Sequence, residues 1–392
     1  MKFGPREPSL RQAWFMPWAG IDQELQIGPV TFWSFSKKAN KMISEQSVRD
    51  HLERYFHRYV DHQGKSVKTI TVCSHSSTTF RELQKNKANE LRTAVDALIF
   101  SVICPATVSA VATDNRSVGP ASADRYQLGR YDFLPNDEYV AIQAGNALHS
   151  GLKIDKIIFP QPWYTGGAFR RPHDVIAAGF SKAFEGNFPA DIRARWFRSL
   201  EWFRLAHTES DEVSPLSKLV MMTTAFEVLL QVPPVRNKKE WMAREIERRC
   251  ANTKTLRATR SDSKDRSYTC TKVAWWAWDF YNVRNTIDHG DIVPSNLLRY
   301  QTPSRKWLTH LIVADLVFCE CVLRELYEQK CIGDNIRANI PNWQKQFPDE
   351  SFESLEALFL PSCLGITDIH RALGWLPKLR RRKRTNLTDS NQ

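Results

Sequence analysis

The chain contains 392 residues, of which 55 are Lys or Arg and 43 are Asp or Glu, giving a formal net charge of +12. Apolar residues make up 42% and charged residues 25%, an ordinary globular composition that excludes a wholly disordered chain. The length predicts two or three domains, and the basic balance favours an anionic partner, most commonly nucleic acid.

The eight cysteines are scattered along the chain and indicate no metal site. No CxxC pair occurs, no Cys/His cluster has zinc-ligand spacing, and no P-loop or dinucleotide fingerprint is present, so we predict neither a metal nor another cofactor. A chain of this size can bury its own core without a disulfide framework, and reduced thiols in a cytoplasmic protein are the simplest interpretation.

The apolar stretches predict no membrane association. The first residues contain no apolar run of the kind that a secretory signal needs. The two most apolar stretches, Ala94–Cys104 and Leu311–Leu323, contain acidic residues and are too short to span a bilayer. We therefore expect a cytoplasmic protein.

Residues 1–173 have the pattern of a mixed α/β domain. Helical character is found at Glu45–Tyr59 and at Phe80–Cys104, whose apolar face suits a helix packed on a sheet. Strand-like segments, rich in β-branched and aromatic residues, occur at Ile27–Phe35, Val67–Ser74, Tyr126–Leu134, Tyr139–Ala144 and Lys153–Phe159. The pattern does not determine the order of the strands in a sheet.

After Pro160 the apolar period changes to that of helices. Predicted helices begin near Asp174 and continue with the stripe Ile192–Phe203, a helix from Pro215 to Pro233, Lys238–Cys250, about Thr271–His289 and about Pro303–Lys330. The polar and basic segment Ala251–Cys270 shows no period and is predicted to be a flexible loop. The prediction is thus an α+β protein with a mixed domain at 1–173, an all-α domain at 174–335 and a C-terminal extension at 336–392.

The segment Val283–Gly290, with the sequence VRNTIDHG, carries the strongest chemical signal. One interpretation is a helix end only, with Gly290 as the left-handed cap residue and Arg284 paired with Asp288 one turn later. The spacing of Arg284 and His289 is weak evidence on its own, because roughly one Arg-x4-His match is expected by chance in a chain of this composition.

A second match, Arg305 to His310, provides an internal control. Because both residues are predicted to lie in one helix, they are about 140° apart around its axis and cannot converge. His289 lies instead at a helix end, where the backbone can leave helical geometry and the imidazole can turn back toward Arg284. The control also lacks an asparagine after its arginine and a glycine after its histidine.

The heptad Arg-Asn-x-x-x-His-Gly closes a predicted helix of the all-α segment. An upstream helix ends in Ala225–Leu230, and a long apolar helix follows the heptad. In this setting Arg195–Lys330 resembles the HEPN superfamily, specifically its ApeA-like branch of bacterial defence proteins. The first half resembles that branch only in organisation, as a mixed α/β domain ahead of a HEPN-type helical bundle.

The resemblance implies a metal-independent endoribonuclease that acts as a homodimer. RNA supplies its own nucleophile, the 2′-hydroxyl, so the enzyme has to move protons and stabilise a crowded phosphorane. A histidine suits the proton transfers and an arginine fork suits the phosphorane charge. By resemblance Arg284 and His289 are the catalytic pair, and a two-fold axis would double them in one cleft.

Three supporting residues are also implied by the resemblance. Asn285 would form a hydrogen bond within the site. Asp288 departs from the apolar or small residue that is more usual before the histidine, and either orients His289 or pairs with Arg284. Glu227 matches a helix position that is often acidic in the family, and it either supports the site or serves only the fold.

Contacts to RNA are predicted for the basic loop that contains Arg236, Lys238 and Lys239, with a solvated loop as the alternative.

Trp275, Trp276 and Trp278 cannot all face the core, so at least one is predicted to line the cleft or the dimer interface. Three histidines of the first half are predicted to lie on the surface: His51, His57 and His62. A short helix near Phe352–Phe359 and the basic run Arg380–Arg384 belong to the C-terminal extension.

Two functions of different classes remain open. The first is a ribonuclease effector of the anti-phage, abortive-infection or toxin type, whose N-terminal domain senses or restrains, with a phage-derived trigger or an antitoxin as partner. The second is a non-catalytic HEPN module that binds RNA or protein. The intact Arg284, Asn285 and His289 favour the first, because a binding module does not need all three.

Overall fold

A computed structural model describes residues 10–76, 80–113, 122–144, 147–165, 171–209, 213–235, 237–250, 257–261, 267–293, 299–302 and 305–332. Arg236 and the whole extension 336–392, including its predicted helix and basic run, lie outside the described residues. Contacts divide the chain into two compact units, each described by itself below. The first is drawn from Met1–Val102, Ala121–Pro189 and His207–Ser210, and the second from Ile103–Pro120, Ala190–Ala206 and Asp211–Gln392.

The first unit is a mixed α and β structure. Its helices are α1 (Phe35–Met42), α2 (Gln46–Phe56), α3 (Lys85–Thr113) and α4 (Asp174–Lys182). Helix α3 belongs to this unit as far as Val102, and its remainder, from Ile103, belongs to the second unit. Its strands are β1 (Arg11–Met16), β2 (Leu25–Ile27), β3 (Val30–Ser34), β4 (Tyr59–Val60), β5 (Thr71–His75), β6 (Gly129–Phe133), β7 (Tyr139–Ala144), β8 (Ala147–Lys153) and β9 (Phe159–Pro160). Short 3-10 turns occur at Ala123–Tyr126, Ile154–Lys156 and Trp163–Thr165.

A five-stranded antiparallel sheet with the order β2-β3-β5-β1-β6 organises this unit. The pairing register places Trp14 of β1 opposite Cys73 of β5 and Arg130 of β6. Strand β1 is buried continuously from Gln12 to Met16, so it lacks the alternation that marks a half-exposed strand. For that reason the sequence pattern does not predict β1.

Helix α4 packs beside the hairpin of β2 and β3. The backbone N–H of Gly28 donates to Oγ of Ser181 on α4 at 3.1 Å. Gly28 has φ +55°, and a Cβ there would lie 2.3 Å from the ring of Phe184, so both the turn and the close approach require glycine. Helix α4 therefore belongs to the first unit.

An aromatic core lies between α2 and the sheet. Phe15 of β1 packs against Phe56 at a ring-centroid distance of 4.9 Å, and Tyr55 stacks on Tyr131 of β6 at 3.7 Å. All four side chains are buried. Aromatic residues bury large apolar areas, so these rings fix how α2 lies on the sheet.

The surface position predicted for His51 is wrong, because this histidine belongs to the aromatic core. Its ring is fully buried, stacks on Phe133 at 4.6 Å and shares a 2.8 Å hydrogen bond between Nε2 and the hydroxyl of Tyr131. Burial, assisted by the positive charge of Arg54, lowers the pKa of His51 to about 4. His57 and His62 are exposed, as predicted.

The strand predicted at Lys153–Phe159 is also wrong. Only its ends are in strands β8 and β9, and Ile154–Lys156 forms a 3-10 turn. Ile154 is the only buried residue of this turn, and Asp155 and Lys156 beside it are charged. Oδ1 of Asp155 lies 3.1 Å from Nη2 of Arg58. The other predictions for this half agree with the elements to within several residues, and Tyr139–Ala144 coincides with β7.

The second unit contains the helices predicted from the apolar stripes. They are α5 (Ala190–Ala206), α6 (Pro215–Leu229), α7 (Lys238–Cys250), α8 (Lys272–Asp288) and α9 (Thr309–Glu328). Pro215 is at the start of α6, where Oγ of Ser214 accepts a capping hydrogen bond from the N–H of Ser217. Phe203 of α5, Phe226 of α6 and Phe318 of α9 meet in the core.

The second half is not all-α, because two β-hairpins interrupt its helices. The segment predicted as a flexible loop contains β10 (Arg257–Ser261) paired with β11 (Ser267–Thr271). The strands have the sequences RATRS and SYTCT, which are mostly polar and show no apolar alternation, so the sequence pattern did not indicate them. A second hairpin pairs β12 (Arg299–Thr302) with β13 (Arg305–Leu308), so the last helix begins at Thr309 and not near Pro303.

The second hairpin also changes the expected geometry of the Arg305–His310 pair, the internal control for the Arg-x4-His spacing. Arg305 belongs to β13, whereas His310 is the second residue of α9 and is buried. The two residues therefore do not share a helix, contrary to the prediction. Substitution of the buried His310 would disturb the core, so this pair is a poor control for catalysis.

Two helices of the second unit, α5 and α7, contribute side chains to the buried carboxylate of Glu325 in α9. Its oxygens accept hydrogen bonds from Arg195 at 2.7 Å, from Arg249 at 2.7 Å and from the indole of Trp196 at 3.1 Å. Burial opposes ionisation of this carboxyl, but the hydrogen bonds from Arg195, Arg249 and Trp196 hold its pKa below the ordinary value. The ion pairs thus connect α5, α7 and α9.

None of the described helices combines the length and apolar character needed to cross a lipid bilayer.

We predict that acid destabilises the first unit through His51. Its folded pKa of about 4 lies below the ordinary value of 6.5, so the unfolded chain binds the extra proton between these pH values. The free energy of unfolding should therefore fall as the pH is lowered from about 6.5 to about 4. Urea denaturation of His51→Phe should show a smaller fall, whereas the exposed His57→Phe should match the wild type. An equal acid loss in His51→Phe would contradict this assignment.

Candidate active site

Helix α8 carries the predicted catalytic residues and is buried along most of its length. Trp276 stacks on Phe280 at 5.1 Å, and both rings approach Phe226 of α6 at 6.2 Å. This face anchors the helix in the core. The last turn, from Arg284 onward, is half-buried or exposed and leaves its polar side chains accessible.

All three tryptophans of α8 are buried within the chain, so the prediction that they cannot all face the core, and that at least one lines the cleft or the dimer interface, is not supported. Trp275 and Trp278 are 5% and 8% exposed and pack against each other at 5.5 Å. Tyr268 of β11 covers Trp278 at 5.0 Å. The hairpin that the sequence pattern missed therefore gives α8 a second buried face.

The helix end is fixed by a Schellman motif centred on Gly290. The N–H of Gly290 donates to the carbonyl of Ile287 and the N–H of Asp291 donates to that of Thr286, both at 3.0 Å. Gly290 has φ +76°, whereas His289 keeps the right-handed values φ −80° and ψ −4°. The left-handed cap predicted at Gly290 is therefore confirmed, whereas the departure from helical geometry expected at His289 is not seen. Arg284 and His289 are thus about 140° apart around the helix axis.

Arg284 pairs with Asp288 and does not reach His289. Its Nη1 lies 2.5 Å from Oδ2 of Asp288 and donates to Oδ1 of Asn285 at 3.3 Å. Of the two roles open to Asp288, the structure shows the pairing with Arg284. His289 is exposed, and within the described residues no hydrogen bond or ion pair joins its ring to Arg284.

Tyr281, a residue that no sequence pattern indicated, links Glu227 to Arg284 of the motif. The hydroxyl of Tyr281 donates to Oε1 of Glu227 at 2.5 Å, and the Arg284 guanidinium lies 5.6 Å from the centre of the tyrosine ring. Burial and the hydrogen bond to Glu227 both raise the pKa of Tyr281 above its usual range. Tyr281 is one helical turn before Arg284, and that spacing is the signal from which it could have been found.

The two predicted RNA-binding lysines of α7 have partners within the protein. Nζ of Lys238 lies 3.7 Å from Oε1 of Glu227. Nζ of Lys239 donates to Oδ1 of Asn282 at 3.2 Å and lies 5.0 Å from the ring of Trp278, as a cation–π contact. Both lysines therefore tie α7 to its neighbours, and an RNA phosphate would have to share or replace these contacts.

The structure thus gathers most predicted site residues into one polar cluster. Its members, from α6, α7 and α8, are Glu227, Lys238, Lys239, Tyr281, Asn282, Arg284, Asn285 and Asp288. His289 is on the exposed rim. In the part of the chain that the structure describes, no group of three or more His, Cys, Asp or Glu side chains is placed to hold a metal ion. The side chains of the cluster can supply hydrogen bonding, charge stabilisation and proton transfer.

Comparison with models of protein families, with curated proteins and with solved structures finds no match for this chain.

We predict that Gly290→Ala destabilises the helix end without a steric clash. No atom lies within 4 Å of the position of an added Cβ, so the cost is the left-handed backbone alone, about 1–2 kcal/mol. Gly290→Asn should cost less, because asparagine tolerates this conformation better. Chemical denaturation measures both changes. Gly64→Ala, at another glycine with φ +76° and open surroundings, is the matched control and should cost a similar amount.

Proposed function

We propose that this protein is a metal-independent endoribonuclease of the HEPN type. The observation that carries the proposal is the presentation of Arg284, Asn285 and His289 within one exposed helix end that a Schellman motif terminates. A guanidinium, an amide and an imidazole in the last turn of one helix are the kinds of group that RNA cleavage through the 2′-hydroxyl requires. The basic net charge of +12 agrees with a polyanionic substrate.

In the proposed reaction the 2′-oxygen attacks the adjacent phosphorus. His289 removes the proton from the 2′-hydroxyl, and the Arg284 guanidinium stabilises the charge on the phosphorane. The bond from phosphorus to the 5′-oxygen then breaks, and that oxygen takes up a proton from an imidazolium. The products are a 2′,3′-cyclic phosphate and a 5′-hydroxyl end, and no metal ion takes part.

A second copy of the chain would complete the site. Among the described residues no hydrogen bond joins Arg284 to His289, and a two-proton reaction benefits from two imidazoles. Two large apolar side chains next to site residues are exposed: Ile292 at 91%, three residues after His289, and Val235 at 48%, three residues before Lys238. Exposed apolar residues at this position suit a homodimer interface.

The biological role that we propose is that of an anti-phage abortive-infection or toxin effector in the cytoplasm. The first unit would sense a phage-derived trigger or respond to an antitoxin, and the helical unit would cut RNA. The second candidate, a non-catalytic HEPN module for RNA or protein, is favoured by one observation: Asp288 already neutralises Arg284 within a single chain.

We predict that His289→Ala abolishes RNA cleavage and leaves the fold intact, because His289 is exposed at a helix end. Loss of a general acid or base should lower the rate about 10²–10⁴-fold. Arg284→Ala should lower it to a similar extent and also weaken RNA affinity. The assay measures cleavage of an RNA oligonucleotide by the purified protein in EDTA and maps the end groups of the products.

The exposed His57 supplies the control, and His57→Ala should cleave at the wild-type rate. Full activity of a folded His289→Ala protein would show the site assignment to be wrong. RNA binding without cleavage by the wild-type protein would favour the non-catalytic module.

We predict that Ile292→Asp weakens the homodimer and lowers cleavage in parallel. An aspartate at a position that is 91% exposed costs little in a lone chain, but it would be buried in an apolar interface. Light scattering and cleavage should be measured over the same range of protein concentration. Tyr327→Asp, at an exposed position on α9, should change neither. A monomer that cuts RNA at the full rate would contradict the composite site.

A further inference from the structure

Tyr281 is the one side chain that contacts both Glu227 and Arg284 among the described residues of the cluster. Its hydroxyl donates to Glu227 at 2.5 Å, and its ring faces the guanidinium carbon of Arg284 at 5.6 Å. The residue is 3% exposed, so it has little freedom to move. A change in the position of α6 would therefore move Tyr281 and, through its ring, Arg284 of the predicted catalytic pair.

The ring limits the directions that Arg284 can take. Asp288 and Asn285 hold only Nη1, and Nε of Arg284 is buried without a hydrogen-bond partner in the described structure. The cation–π contact favours a position of the Arg284 guanidinium over the face of the Tyr281 ring. It does so without using an N–H group, so the ring does not compete with a phosphate for the guanidinium donors.

Glu227 in turn fixes the ring. A carboxylate that accepts from a phenol forms a strong, charge-assisted hydrogen bond, and Nζ of Lys238 lies 3.7 Å from the same oxygen. Burial and the Glu227 carboxylate raise the pKa of Tyr281, so its hydroxyl stays protonated and remains a donor. These contacts form a chain in the order Lys238, Glu227, Tyr281, Arg284 and Asp288. An oppositely charged pair lies on each side of the ring, Lys238 with Glu227 and Arg284 with Asp288.

We infer that Tyr281 is a positioning residue for Arg284, anchored by Glu227, and that it sets the direction from which the guanidinium meets the RNA phosphate. This inference rests on the proposed function. It gives Glu227 a specific role, that of acting on Arg284 through Tyr281 without contacting RNA. Neither the ring nor its hydroxyl takes part in bond making or breaking.

The test is a double-mutant cycle in the full-length protein. Tyr281→Leu and Tyr281→Phe are each made with and without Arg284→Ala, with the exposed Tyr327→Leu as control. Affinity is measured for an RNA oligonucleotide carrying 2′-O-methyl groups throughout, which cannot be cut because the nucleophile is blocked. KM and kcat are measured on the unmodified RNA for the variants that keep Arg284, and melting temperatures for all variants.

Tyr281→Leu should weaken affinity about three- to tenfold when Arg284 is present, the size expected of a cation–π contact, and should have no effect in the Arg284→Ala background. Tyr281→Phe keeps the ring, so KM should stay near the wild-type value while kcat falls because the anchor to Glu227 is lost. Tyr327→Leu should change neither KM nor kcat.

Equal effects of Tyr281→Leu with and without Arg284 would overturn the inference, because a purely structural role predicts additivity. Wild-type kcat in Tyr281→Phe would overturn the anchoring by Glu227. A wild-type protein that neither binds nor cuts RNA would instead overturn the proposed function, and this inference with it. An active wild type with additive effects would overturn the inference alone.

Discussion

The buried carboxylate of Glu325 is the constraint on which the helical unit depends. A single charge in a protein interior is costly unless ion pairs and hydrogen bonds compensate it. Here two arginines and an indole from α5 and α7 supply the partners, and the side chain of Glu325 is only 5% exposed. The relative positions of α5, α7 and α9 are therefore coupled, since a shift of any one of these helices would leave a buried charge uncompensated.

The same network extends to the candidate site. Arg195 donates to the carbonyl of Leu229 at 2.5 Å, which satisfies an otherwise unpaired acceptor at the end of α6. Glu227 lies two residues before this capped end. The position of Glu227 then determines where Tyr281 can place its hydroxyl, and the ring of Tyr281 supports Arg284. A structural ion pair in the core is in this way connected by contacts to the residue that we propose to meet RNA.

The helices of the second unit could be predicted because each has a stripe of apolar residues that packs on the core. The bounds of α7 coincide with the prediction, and Pro215 begins α6 as its position suggests. The hairpins could not be predicted, because polar strands such as β10 have no apolar period and form by pairing with a neighbour. Strand β1 was missed for the opposite reason, because burial on both faces removes the alternation.

The candidate site shows the same division. The sequence identifies Arg284, Asp288 and Gly290, because an ion pair one turn apart and a helix cap are local features. The contacts of Glu227 and Lys239 are between helices, and they depend on packing that no local pattern encodes. The burial of His51 is a further case, because its partners Tyr131 and Phe133 are about 80 residues away in the chain.

The Schellman motif has a consequence for how this part of the chain can vary. Both of its backbone hydrogen bonds are complete by Asp291, so the spacing of Arg284 and His289 along α8 is set within the helix and its cap. Insertions or deletions beyond Asp291 would leave that spacing unchanged. The segment that follows Ile292 can therefore change in length without altering the part of the helix that holds Arg284 and His289.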